Sequence, residues 1–108
     1  MRIHVMTLFP DIFAAYIGES MIKKAIDNGI LEVYLYNIRD FSENKHKKVD
    51  DYPFGGGAGM VMTPQPIIST YEHIIKTHNI DKPRVIYLSP KGRIFNQEMA
   101  KIGRASCR

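Results

Sequence analysis

The chain has 108 residues, 44% of them hydrophobic and 24% charged, with a formal net charge of +4. That length suits one domain, or part of one, with a modest core. No apolar run reaches membrane-spanning length, and His4 interrupts the short apolar stretch at the N-terminus, which argues against a signal peptide and against a membrane partner. The single cysteine, Cys107, excludes an intramolecular disulfide and fits a reducing, cytoplasmic compartment.

Ile3 to Leu8 reads as a short buried strand ended by Phe9-Pro10. Asp11 is placed to cap a brief helix through Tyr16, broken at Gly18. Ser20 is the expected N-cap of a helix from Met21 to Asn28, with Gly29 where a C′ glycine belongs. Ile30 to Ile38 alternates as a strand does, with Leu31, Val33 and Leu35 facing one way and Glu32, Tyr34 and Tyr36 the other. Residues 39–62 form a long loop, a length that in a compact domain is uncommon and usually functional or disordered.

Thr63-Pro64 opens the next helix, proline being suited to its first position. Ile67, Ile68, Tyr71, Ile74 and Ile75 are predicted to form its buried face. Pro83 precedes a predicted buried strand, Arg84 to Leu88, then a second loop from Ser89 to Phe95. Asn96 can cap a final helix. The order strand, helix, strand, loop, helix, strand, helix is an α/β pattern with a mostly parallel sheet and flanking helices. Ligands in such sheets bind beyond the C-terminal ends of the strands, where both loops fall.

The first loop carries the strongest chemical signal. Lys45-His46-Lys47-Lys48 is followed by Asp50-Asp51, then Gly55-Gly56-Gly57-Ala58-Gly59. Cationic side chains hold phosphates, and glycines let a backbone approach a ligand with its N–H groups free. The glycines match neither the dinucleotide fingerprint nor the phosphate-loop pattern. Spacing alone therefore leaves two readings, a flexible surface loop or a ligand loop. The cations are likewise either a solvated run or a nucleic-acid contact, and Asp50 and Asp51 either neutralise them or orient a base or a lysine. Tyr87-Leu88-Ser89-Pro90-Lys91-Gly92 is explained sufficiently as a strand end and a turn. His73 and His78, five apart on one helix, are off-phase for sharing a metal, and no His-Glu-x-x-His pattern exists, so no metal site is expected.

Taken with Thr7-Leu8-Phe9-Pro10, Asn37-Ile38-Arg39-Asp40-Phe41 and Tyr87-Leu88-Ser89-Pro90-Lys91-Gly92-Arg93, the lysine–glycine loop resembles the bacterial tRNA (guanine-N1)-methyltransferase family, TrmD, of the SPOUT class. The resemblance runs in order from Met1 to about Lys101. It implies the amino-terminal part, residues 1–102, of an S-adenosylmethionine-dependent methyltransferase domain. Residues 103–108 read as a non-family tail, a cloning or frameshift remnant. The family fold is a trefoil knot, here incomplete, and knots cannot be inferred from strand and helix patterns.

By the same resemblance the family moves a methyl group from S-adenosylmethionine to N1 of the guanine beside the anticodon of tRNA, and works as a homodimer. The carry-over assigns cofactor binding to Tyr87, Leu88, Ser89 and Pro90, while Lys91 stands where many relatives have glutamine. It assigns the substrate pocket to Asp50, Gly55, Gly56, Gly57 and Gly59, and tRNA binding to Arg39, Lys45, His46, Lys47 and Lys48. The family's second cofactor segment, a Cys-Gly-Arg-Tyr-Glu-Gly type motif, has no counterpart, and the aspartate credited with deprotonating guanine is expected beyond Arg108. The isolated chain is thus expected to be inactive. The alternative is a basic RNA- or nucleotide-binding module without catalysis.

Overall fold

The computed structural model describes residues 1–51 and 61–106. Strands β1 (Arg2–Thr7) and β2 (Glu32–Asn37) pair in parallel, with Arg2 opposite Glu32 at one end and Thr7 opposite Asn37 at the other. Parallel neighbours need a crossover, and helices α1 (Pro10–Ile17) and α2 (Ser20–Asp27) supply it.

The helix boundaries shift slightly from the sequence reading, for local reasons. Pro10 takes the first helical position, and the Phe9 N–H donates to Thr7 Oγ1 at 3.0 Å, so Asp11 lies inside the first turn rather than at the cap. Gly18 ends α1 as expected, its N–H returning to the Ala14 carbonyl at 3.3 Å. Glu19, not Ser20, occupies the cap of α2, and Ser20 begins the helix with a left-handed φ of 48°. Asn28 closes α2, and Gly29 follows at φ 72°, where a glycine avoids a side-chain clash. The N–H groups of Ile30 and Leu31 both donate to the Ala25 carbonyl, at 2.9 and 3.2 Å. Those two residues therefore belong to the helix exit, and β2 starts at Glu32 instead of Ile30.

Beyond β2 the expected loop is partly organised. The Arg39 N–H donates to Asn37 Oδ1 at 3.0 Å and turns the chain into a 3₁₀ turn, Ile38–Phe41, that buries Ile38. Strands β3 (Asp50–Asp51) and β4 (Val61–Met62) pair antiparallel. Val49, 2% exposed, is pinned there, because its carbonyl accepts both the Thr63 N–H at 2.8 Å and the Thr63 hydroxyl at 3.2 Å.

Helix α3 (Pro64–His78) begins with two prolines in its first turn, where a missing N–H costs nothing. Its buried face is Pro66, Thr70 and Ile74, spaced four apart. This corrects the expected stripe. Ile74 belongs to both, Ile67 and Ile75 are half-buried, and Ile68 and Tyr71 are exposed. A polar residue can occupy the centre of that face because the Thr70 hydroxyl donates to the Pro66 carbonyl at 2.6 Å and is left with no unmet bond. Asn79 caps the helix in the left-handed conformation that asparagine tolerates.

The predicted strand Arg84 to Leu88 does not form. Residues 83–89 carry no strand assignment, and Val85, Ile86, Tyr87 and Leu88 are all exposed, the last two at 87% and 84%. A short apolar run becomes a buried strand only with a hydrogen-bonding neighbour and covering layers, and the parallel sheet here consists of β1 and β2. The radius of gyration, 16.0 Å, exceeds the roughly 13 Å of a compact chain this long. Helix α4 (Gln97–Ser106) starts as expected at Asn96, whose Oδ1 accepts the Met99 N–H at 3.0 Å.

Truncating Ile74 to alanine removes the apolar centre of the α3 contact and should cost about 2–5 kcal/mol, whereas the exposed Ile68→Ala should stay within about 0.5 kcal/mol. Urea unfolding midpoints of the two variants, measured side by side, check this.

Candidate functional site

The basic loop is tied to itself by backbone capture. Ser42 is buried and its hydroxyl donates to the Lys48 carbonyl at 2.6 Å while accepting the Asn44 N–H at 3.2 Å. Asn44 Oδ1 accepts the His46 N–H at 2.9 Å, and the Asn44 carbonyl accepts the Lys47 N–H at the same distance. Lys47 sits at φ 57°, a conformation unusual for lysine, held there because its carbonyl accepts Arg39 Nη1 at 3.0 Å. The Lys47 ammonium in turn reaches the Ser42 carbonyl at 3.5 Å.

The outcome is a closed turn whose polar backbone faces inward while Lys45, His46, Lys47 and Lys48 stand exposed. Arg39 anchors that turn, and with five donors on its guanidinium it keeps capacity beyond the one bond. Lys48 also approaches Asp51 at 3.9 Å, an exposed pair that adds little stability but reduces the local charge. Asp50 is half-buried in β3, opposite Met62. Gly55, Gly56, Gly57 and Gly59 lie outside the described residues.

The loop is sewn onto α3 by one side chain that the sequence reading overlooked. Gln65 donates from Nε2 to the Phe41 carbonyl at 2.8 Å and to Ser69 Oγ at 2.9 Å, and its Oε1 accepts the Glu43 N–H at 3.1 Å. Only the tertiary fold brings residues 22 to 24 positions apart to one amide.

Tyr87, Leu88, Ser89 and Pro90 form a second locus, organised by a turn. The Ser89 carbonyl accepts the Gly92 N–H at 3.1 Å and Ser89 Oγ accepts the Lys91 N–H at 3.2 Å. A Cβ on Gly92 would meet that same carbonyl at 3.3 Å, so the tight turn favours glycine. Tyr87, just before that turn, is 87% exposed.

Residues 1–105 match the family described as "tRNA (Guanine-1)-methyltransferase TrmD". This chain belongs to that family. It is 71% identical over 101 residues to the tRNA (guanine-N(1)-)-methyltransferase of Clostridioides difficile (strain 630), covering 94% of this chain and 44% of that protein. The protein of the same name from Alkaliphilus oremlandii is 60% identical over 105 residues, with 94% and 42% covered. The solved tRNA (m1G37) methyltransferase of Aquifex aeolicus superposes with a TM-score of 0.85 at 35% identity, over 94% of this chain and 45% of that one. The mixed α/β arrangement with its parallel pair is therefore the fold of the SPOUT-class family. The chain spans less than half the length of these relatives.

A third cluster lies on the sheet face turned toward α3. His4 Nδ1 is 3.0 Å from the Tyr36 hydroxyl, which is 3.0 Å from His78 Nε2. His4 stacks on Tyr34 with centroids 4.9 Å apart, and the His4 and His78 rings meet edge-on at 4.5 Å. Partial burial first, then the neighbouring His78 and Arg2 charges, hold the His4 pKa below its ordinary value. Burial and then Tyr34 push the Tyr36 phenol up. Among the described residues no group of three or more potential ligands is placed to hold a metal ion. Sequence inspection pairs His73 with His78 because they share a helix, and misses His4 because the partner strand's register is not written in the chain.

Replacing Gln65 with alanine removes two bonds between the basic loop and α3 and a third within the helix. Protection of the Glu43 amide against hydrogen exchange should fall, and global stability by about 1–2 kcal/mol, since each neutral bond contributes about 0.5–1.5 kcal/mol net. Native-state exchange combined with urea unfolding reads both quantities.

Proposed function

We propose that this chain is the amino-terminal part, residues 1–102, of a methyltransferase that transfers the methyl group of S-adenosylmethionine to N1 of guanine 37 in tRNA. The observation that carries this reading is the family match over residues 1–105. The whole protein's tRNA partner, its homodimeric state and its cytoplasmic location belong to the same proposal. No helix among the described residues is long and apolar enough to cross a membrane.

The residues divide into three tasks. Arg39, Lys45, His46, Lys47 and Lys48 grip tRNA phosphate. The self-tied turn supports this, because it presents cations on a backbone already ordered and so lowers the entropy lost on binding. Asp50 and the glycines at 55, 56, 57 and 59 border the pocket for the guanine. Tyr87, Leu88, Ser89 and Pro90 hold the methyl donor, chiefly by backbone groups.

The second locus fits such a group in chemical type: the exposed Tyr87 ring suits a cation or a purine face, and backbone N–H and C=O groups are the donors and acceptors a polar ligand needs. When bound, S-adenosylmethionine supplies a methyl group activated by a positively charged sulfur. Transfer also requires a base for the guanine N1 proton and alignment of nitrogen, carbon and sulfur. Asp50 and Asp51 are the described acids nearest the glycine segment in sequence, but the base is assigned to the remainder of the full-length protein. The exposed Val85, Ile86, Leu88, Ile94 and Phe95 support this division, because they provide an apolar face for that remainder or for a second copy.

Two experiments test the proposal. Single-turnover assays of the 108-residue chain with unmodified tRNA and labelled S-adenosylmethionine should yield no product above a no-enzyme control, while a full-length protein carrying this sequence should be active. In that full-length protein, alanine at Lys45, Lys47 and Lys48 should weaken tRNA binding and lower the magnitude of the log–log salt slope by about 0.7–0.9 per lost phosphate contact. Cofactor affinity should barely change. An unchanged slope would return the loop to a solvated face.

A further inference from the structure

The hydrogen-bonded chain from His4 through Tyr36 to His78 joins three elements, β1, β2 and the last turn of α3. A phenol donates one hydrogen and accepts on its oxygen, so it keeps its own hydrogen bonded between the two rings only when one ring nitrogen donates and the other accepts. In the neutral state one imidazole donates N–H to the Tyr36 oxygen, and the Tyr36 O–H donates to the bare nitrogen of the other. A first added proton goes to the far nitrogen of the donating ring and leaves both bonds in place. A second has only the nitrogen that accepts the phenol hydrogen. Both rings then direct N–H at one oxygen, the phenol hydrogen is displaced, and two positive rings face each other with centroids 4.5 Å apart.

We propose that His4, Tyr36 and His78 form an acid-sensitive latch that fastens the C-terminal end of α3 to the β1–β2 sheet, holding with one imidazolium and opening with two. The latch is independent of the methyl-transfer reading. The surroundings favour opening over accommodation. On β1, Arg2 shares the His4 face and adds a positive charge two residues away. On β2, Tyr34 stacks on His4, and its hydroxyl reaches Glu32 Oε2 at 3.4 Å, the acid of that strand face. On α3, His73 lies 6.2 Å from the Tyr36 ring and 4.9 Å from Phe41, and so adds a third imidazole rather than a counter-charge.

The consequence is directional. His4 has a lowered pKa in the folded chain, so the unfolded or unlatched chain binds more protons below about pH 6.5. The latch's contribution is present above that value and is lost as pH falls from there toward the folded pKa. Opening frees Asn79 and Ile80, whose N–H groups both donate to the Ile75 carbonyl, and with them the start of the segment leading to Tyr87–Pro90.

Amide hydrogen exchange of the 108-residue chain, corrected for intrinsic rates, tests this between about pH 7.5 and pH 5. Protection at Asn79 and Ile80 should fall about tenfold relative to the β1–β2 ladder amides, the equivalent of one pKa unit. In His78→Phe, which keeps an aromatic ring and removes one of the two imidazoles, the fall should shrink to about twofold or less. Tyr36→Phe should lower protection at Asn79 and Ile80 already at neutral pH. Equal loss at the ladder amides would mean global unfolding and would overturn the latch. So would an unchanged pH profile in His78→Phe, or a chain with no protected amides at neutral pH.

Discussion

Everything in this molecule hangs on the parallel pairing of Arg2–Thr7 with Glu32–Asn37. Because side chains alternate along a strand, that one register sends Ile3, Val5, Val33 and Leu35 to one face and His4, Tyr34 and Tyr36 to the other. Helix α1 packs against β2, while α3 contacts β1 and brings His78 onto the aromatic face. A slip of one residue would exchange the two faces and leave the polar rings against the crossover helices. The two faces thus differ in kind, one apolar and one built from aromatic rings and hydrogen bonds.

The remaining organisation is unusually polar for a chain with 44% hydrophobic residues. Three of the apolar residues, Ile38, Val49 and Ile74, are fully buried among those described, and the contacts around them are completed by Ser42, Gln65 and Thr70. Those side chains donate to the backbone carbonyls of Lys48, Phe41 and Pro66, so that Ser42 and Thr70 are buried with their hydroxyls paired. The same bonds shape the basic loop. Ser42, Asn44 and Arg39 each bind loop backbone, so the lysines are left to face solvent as a group. Structure and candidate function therefore share one set of hydrogen bonds, in which Arg39 and Lys47 both order the loop backbone and belong to the cations it presents.

The apolar surface left over lies in residues 85–95, on the outer side of α3, and along α1 and α2, where Phe9, Ile12, Tyr16 and Met21 are exposed. At the C-terminal end of α3, Tyr71, Ile75, Ile80 and Pro83, with Glu72, Lys76, Asn79 and Asp81, line an open concavity of about 450 Å³. A chain that spans 44% of a relative's length and displays Val85, Ile86, Leu88, Ile94 and Phe95 to solvent has the surface of a part, since monomeric domains rarely leave such runs uncovered. The failure of Arg84–Leu88 to form a strand follows from the same fact. Strand structure, unlike a helix, needs a neighbour for its backbone bonds.

Local signals were enough for helix ends, turns and the alternation of one strand. Pro64 at a helix start, Asn96 as a cap, Gly29 after a helix and the alternation from Glu32 to Tyr36 all act over a few residues, so the sequence alone located them. The lysine–glycine loop and the Ser-Pro-Lys-Gly turn were legible for the same reason, and so was the family they mark. What required the tertiary structure was each feature decided by distant partners: Gln65 bridging Phe41 and Glu43, the turned buried face of α3, the segment 84–88 that joins no strand, and the His4–Tyr36–His78 chain. Periodicity states which residues share a face, but not what covers it. Pairing between residues 32 or 42 positions apart is decided by strand register and helix docking, where the gain from contacts outweighs the entropy of closing the loop between them.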